Sequence, residues 1–308
     1  MHRCGIIDLG SNTIRLVVYE VKKSPGERLT KKDFSTLIST KKTVGLSNYV
    51  IDGQLSDAGI ERAAEVLSDM ISRAKVVNCD SVSIFATAVL RNCNNSKAAV
   101  KAIEKRIGCR IDMISGEKEA RLDFVGASCD RKISSGTLID IGGGSTELVQ
   151  IAGGKAGNVE SISMGSVSTY ASFVHHVLPT PAEIDAIAKA LSERLDRLNN
   201  AKSYRCSTLY GVGGSIRALD KLDALLLGQE KKSRELDRGD IARLTEALRG
   251  TSSDFTHALT KAAPDRIHTI GCGLVILSTV MDTLGAKRIE ICKYGVREGY
   301  LLECVRAS

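Results

Sequence analysis

Asp8-Leu9-Gly10-Ser11-Asn12-Thr13-Ile14-Arg15 and Asp140-Ile141-Gly142-Gly143-Gly144-Ser145-Thr146-Glu147-Leu148 repeat one pattern in two halves of the chain. Each copy follows a short apolar run (Cys4 to Ile7, Thr137 to Ile139) and precedes another (Ile14 to Val21, Leu148 to Ile151). That context reads as strand, tight turn, strand. Glycines let backbone pass close to a ligand, and successive N–H groups in such a turn form a concave anion site. An aspartate at a strand's end can hold a cation, Mg²⁺ being the usual choice beside phosphates. Two such turns facing each other would clamp a phosphorylated substrate between two halves of the chain.

The remaining composition narrows the class. At 308 residues the chain has room for two domains. A hydrophobic content of 43% with 26% charge is ordinary for a globular protein. The net charge of +7 suits an anionic substrate without amounting to a basic arm. The absence of tryptophan, with only five phenylalanines, argues against a stacking platform for nucleic acid. Nine scattered cysteines with no CxxC pair predict reduced, packing thiols rather than a disulfide framework or zinc site. The N-terminal apolar run stops at Asp8, and no stretch reads as the roughly eighteen apolar residues of a membrane span. The expectation is a cytoplasmic protein with neither membrane nor nucleic-acid partners.

Between the turns, strands and helices alternate. Lys22 to Lys42 reads as a turn and an extended edge segment. Apolar residues at Ile60, Ala63, Ala64, Leu67, Met70, Ile71 and Ala74 have helical spacing within Ser56 to Val77. Ser81 to Ala88 alternates like a strand, Ser96 to Ile107 reads as a helix, and Ile111 to Ser115 as a strand leading into a helix from Gly116. The second half repeats the plan. Thr180-Pro181-Ala182-Glu183 is a strong helix start, with an N-cap threonine, proline at the first helical position and a capping-box glutamate. Leu209 to Leu219 reads as strand, glycine turn, helix; Gly271 to Leu284 as a buried helix; Arg288 to Cys292 as a strand; Val296 to Val305 as a closing helix. The expected architecture is two related α/β domains, 1–125 and 126–308, with the final helix free to pack back on the first.

Together these segments resemble the exopolyphosphatase and guanosine-pentaphosphate phosphatase family. The resemblance rests on DLGSNTIR at 8–15, ATAVLRN at 86–92, ISGEKEA at 114–120, DIGGGSTEL at 140–148, GVGGSIRAL at 211–219 and GVREGYLLE at 295–303. It implies two ribonuclease-H-like domains of the actin-like ATPase superfamily with a cleft between them, in the short two-domain form. It also implies a homodimer. Three positions depart from the family pattern: Lys118 stands before Glu119 where a second acidic residue is common, the segment 164–168 lacks an arginine, and His268 near Arg266 replaces a common aspartate.

Hydrolysing a phosphoanhydride needs cradled oxygens, neutralised charge and a positioned water. Backbone N–H groups of Gly10, Ser11, Asn12 and Thr13, and of Gly142, Gly143, Gly144 and Ser145, are the expected cradles. Arg15 and Arg91 are candidate clamps, since a planar guanidinium matches phosphate oxygens. Asp8, Asp140 and Glu147 are the expected Mg²⁺ ligands. By resemblance, Glu119 is the water-activating base. The substrate expected is inorganic polyphosphate, with guanosine pentaphosphate as the alternative. A small-molecule kinase or a non-catalytic polyphosphate or nucleotide sensor remains open from other classes. Gly211, Gly213 and Gly214 match the segment that holds adenosine in kinase relatives, or else serve strand–helix packing. His175-His176 reads as structural, and the lysine pairs 22–23, 31–32, 41–42 and 231–232 as solvated faces, the first three with a possible polyphosphate track.

Overall fold

The computed structural model describes residues 2–23, 26–27, 29–229 and 233–307; Lys231 and Lys232 lie outside these. Two compact units divide the chain: 1–130 with 296–308, and 131–295. The first unit therefore keeps five residues more than the expected 125, and the closing helix belongs to it.

In the first unit, β1 (His2–Leu9), β2 (Thr13–Val21) and β3 (Phe34–Thr43) form an antiparallel meander. A two-residue hairpin, β4 (Val50–Ile51) and β5 (Gln54–Leu55), leads to α1 (Asp57–Val76). Then follow β6 (Ser81–Ala86), α2 (Ala88–Arg91), α3 (Ser96–Ile107), β7 (Asp112–Met113) and α4 (Gly116–Asp130). The sheet order is β3-β2-β1-β6-β7, with β1, β6 and β7 parallel. One sheet face buries Ile7, Leu9, Ile14, Leu16 and Val18 with Ile60, Leu67 and Ile71 of α1 and Ile103 of α3. Alternation sends Tyr19 and Phe85 to the other face. There Phe85 stacks on Tyr300 with ring centroids 4.8 Å apart, and Tyr300 lies in α11 (Val296–Ala307). Helix α11 also lies against α4, where the backbone carbonyl of Leu122 meets Gly299.

The second unit repeats the meander as β8 (Gly136–Ile141), β9 (Thr146–Ala152) and β10 (Lys155–Ile162). It continues through α5 (Ser166–Phe173), α6 (Pro181–Asp196), β11 (Thr208–Val212), α7 (Gly213–Leu226), β12 (Glu235–Asp237), α8 (Arg238–Gly250), α9 (Ser253–Ala262), α10 (Ile267–Leu284) and β13 (Arg288–Ile291). Sheet order β10-β9-β8-β11-β13-β12 matches the first unit strand for strand, with β12 added antiparallel at the far edge. Both units are ribonuclease-H-like. At α6, Thr180 caps the amide of Glu183 and Glu183 caps Thr180 in return, as the sequence spelled out.

One sequence expectation needs correction. The segment Pro264–Leu284 contains an 18-residue stretch with a mean hydropathy of 1.5, long and apolar enough to cross a membrane. Its place explains the composition: 67% of that stretch is buried, and α10 runs through the second unit's core against Leu191, Leu219 and Leu248. None of the nine cysteines is in a disulfide, and Cys4, Cys93, Cys272 and Cys292 are buried. Burial pushes the Cys272 thiol up to about 12, as expected of an inert packing residue.

Candidate active site

The two quoted turns are built alike. Gly10 N–H donates to the Thr13 carbonyl at 3.1 Å, and Gly142 N–H donates to the Ser145 carbonyl at 2.9 Å. Each turn's outward carbonyls are held from behind by a neighbouring segment. In the first, Val44 and Gly45 N–H donate to the Asn12 carbonyl, and Ser47 N–H donates to Ser11. In the second, the start of α5 does this work. Ser166 N–H donates to Gly142, Val167 and Ser168 N–H donate to Gly143, and the Ser168 hydroxyl donates to Gly144. The segment noted for its missing arginine thus serves as the backing of the second turn. Among the described residues, Ser11, Asn12, Gly143 and Gly144 donate no backbone hydrogen bond. Such a run of amides has the form that binds anions in other proteins.

In the first unit the cradle stands at the C-terminal ends of the parallel strands. Thr87 N–H, just past β6, donates to the Leu9 carbonyl, and Ile114 N–H, just past β7, donates to Ala86. Helices α2 and α4 start from these points, so Arg91 and Glu119 arrive at the same sheet end as the turn. Ligands of open α/β sheets gather at this end. Glu119 is buried. Its Oε2 accepts from Arg91 Nη1 at 2.9 Å, and the same nitrogen donates to the Ile114 carbonyl at 3.1 Å. Arg91 thus grips the expected base directly, in a pair whose side chains are 19% and 10% exposed. Arg15 lies directly opposite Asp8 across β1 and β2.

Asp8 has a partner that the sequence reading did not assign. Arg297, on α11, donates Nη1 to Asp8 Oδ2 at 2.9 Å. Burial works against the Arg297 charge, but Asp8 and Glu298 outweigh it and hold its pKa above the ordinary arginine value. Glu298 in turn accepts from the Tyr19 hydroxyl at 2.6 Å. The only signal for Arg297 was its place inside the segment GVREGYLLE.

In the second unit Asp140 and Glu147 are directly opposed on β8 and β9, and both are buried. Glu147 Oε1 accepts from the Ser161 hydroxyl at 2.8 Å. The N-terminus of α7 comes up beside Asp140: a Cβ at Gly213 would overlap Asp140 Oδ1, and one at Gly214 would stand 2.9 Å from Arg266 Nη1 and Nη2. Gly211 instead faces Ile216 and Ile289, a packing contact. The glycine segment therefore serves packing at its first position and the site at its last two. Burial lowers the pKa of Arg266, while Asp265 and Asp140 support its charge. Arg266 is a second cation the sequence reading left unassigned.

The donor set bears on a cation. Two buried carboxylates facing each other across a strand pair repel unless positive charge intervenes, and oxygen ligands suit Mg²⁺. Asp140 and Glu147 fit such an ion. Asp8, with Oδ2 engaged by Arg297, fits it less well. Among the described residues no three or more His, Cys, Asp or Glu side chains converge as a metal site; Mg²⁺ beside phosphates needs only one or two carboxylates. His175 and His176 are exposed. The Glu183 carboxylate accepts from His175 N–H, and the Tyr170 hydroxyl donates to the His176 carbonyl.

Each of the two ribonuclease-H-like units is thus led by a glycine turn with a carboxylate at its strand end. Comparison with known proteins makes this specific. The chain belongs to the Ppx/GppA phosphatase family, whose model matches residues 21–307. An uncharacterized protein of Streptomyces coelicolor is 26% identical over 315 residues, covering 97% of this chain and 89% of that protein. Among solved structures, an exopolyphosphatase from Cytophaga hutchinsonii superposes with a TM-score of 0.86 at 20% identity, covering 99% of this chain and 98% of that one. The Aquifex aeolicus Ppx/GppA family member gives 0.78 at 22% identity, covering 98% and 97%.

Proposed function

We propose that this protein is an exopolyphosphatase, hydrolysing the terminal phosphoanhydride of inorganic polyphosphate with Mg²⁺ as cofactor and releasing orthophosphate. The observation that carries the proposal is Glu119, a buried carboxylate gripped by Arg91 at the strand end that also bears the first cradle. A carboxylate base can activate either water or an acceptor hydroxyl, and membership of a phosphatase family favours water.

In this reading the amides of Ser11 to Thr13 donate to oxygens of a substrate phosphate, and Arg15 adds its guanidinium. Gly143, Gly144 and Ser145 offer the same donors. Arg91 fixes the rotamer of Glu119. The carboxylate takes a proton from water as the water oxygen bonds to the terminal phosphorus, and the bridging oxygen leaves with the shortened chain. Asp140 and Glu147 would hold Mg²⁺, which when bound neutralises phosphate charge. By the family resemblance the protein would work as a homodimer, and its cysteine usage suits the cytoplasm.

Phosphate release from long polyphosphate and from guanosine pentaphosphate, side by side with Mg²⁺, tests the proposal. Release from polyphosphate should fall about 10²- to 10⁴-fold in Glu119→Gln with binding retained. Full activity in that variant would remove Glu119 as base. Faster turnover of guanosine pentaphosphate would reassign the substrate, and ATP consumption only with a hydroxyl or carboxylate acceptor would make the protein a kinase.

A further inference from the structure

A carboxylate at the mouth of a cradle for polyanions is an electrostatic problem. Asp8 Oδ1 lies within 3.9 Å of where a Cβ of Gly10 would stand, so its charge sits against the first turn. A unit negative charge about 6 Å from a phosphate, at an effective dielectric near 20, would weaken binding by about 10- to 100-fold. The fold answers this with Arg297. It is brought by the last helix, 289 positions along the chain, and sits 2.9 Å from Asp8 Oδ2. The two side chains are 19% and 17% exposed, so water screens their charges only partly. Glu298 and Tyr19 also face Arg297. Nε of Arg297 donates to no partner among the described residues.

We propose that Arg297 is a positioning residue that cancels the charge of Asp8 and so lets the first cradle accept phosphate. Asp8 then serves as the anchor of Arg297 rather than as a ligand of Mg²⁺. The proposal rests on the reading of that turn as a phosphate cradle.

The test is the sign of three substitutions, read as KM and kcat for polyphosphate hydrolysis and as calorimetric affinity for tripolyphosphate. Arg297→Met removes the cation hydrogen-bonded to Asp8 and leaves only Arg15 across the strand pair, and KM should rise up to about 10- to 100-fold with kcat less affected. Asp8→Asn leaves Arg297 as a cation beside the cradle, and KM should fall below wild type. The double variant should return within a few-fold of wild type. Should Arg297→Met fail to fold, Asp8→Asn still carries the decisive sign. A kcat collapse in Asp8→Asn with a raised Mg²⁺ requirement would return Asp8 to the metal and overturn the inference. A double variant no better than Arg297→Met would overturn it too. Wild type that binds tripolyphosphate without releasing phosphate would instead sink the hydrolase reading, leaving the affinity order to judge Arg297.

Discussion

Gly213→Ala is a sharp probe of the second unit. Gly213 has φ +83, a conformation that costs a residue with a Cβ about 1–2 kcal/mol. The added methyl would also overlap Asp140 Oδ1, and moving that carboxylate off its rotamer costs about 0.5–1.5 kcal/mol. The total is about 2–3 kcal/mol, or roughly 5–10 °C in Tm for a unit of this size. Gly214→Ala is the matched control. Its Cβ meets only the far end of Arg266, at 2.9 Å, which can swing aside. Removing a helical glycine gains about 0.5–1 kcal/mol, so its Tm should hold or rise slightly. Differential scanning fluorimetry reads both, and phosphate release in a Mg²⁺ titration reads the displacement of Asp140. Gly213→Ala should need more Mg²⁺ for half-maximal rate. The reasoning fails if Gly213→Ala melts and turns over like wild type, or if both glycine variants are equally damaged.

Other outcomes follow from the same geometry. In Gly299→Ala the methyl would overlap the Leu122 carbonyl, a backbone group that cannot rotate away. This variant should lose more than 2 kcal/mol, measured as a lowered urea midpoint. The capping box at α6 gives a pH signature. Thr180 donates its backbone N–H to Glu183, holding the carboxyl below its ordinary value of 4.5. A depressed folded pKa means the contribution is complete above the unfolded value and is lost as pH falls through the folded one. Glu183→Gln should therefore lower the urea midpoint at neutral pH, and the gap from wild type should shrink below about pH 4.

Local signals were legible in the sequence and distant pairings were not. The hairpins, α1, α3 and α6 follow from turn glycines, 3.6-residue periodicity and a capping box, all short-range. Helix α5 escaped because Ser166 to Phe173 has no apolar stripe; it exists to hold the carbonyls of Gly142, Gly143 and Gly144. Arg91 and Glu119 were each singled out, but not as partners. Their contact requires β6 and β7 to end side by side, which only sheet order provides. The Asp8–Arg297 pair spans the whole chain, and no periodicity encodes it.

The return of α11 to the first unit has a consequence for synthesis. Tyr19 and Phe85 are made early, whereas their partners Glu298 and Tyr300 follow only after the whole second unit. Until then one face of the first sheet lacks the helix that covers it. The first unit is begun first and finished last, while the second can complete its own sheet in the interval. A released chain truncated after residue 295 should thus carry a folded second unit and an unsealed first, a state in which exposed aromatic surface invites chaperone binding.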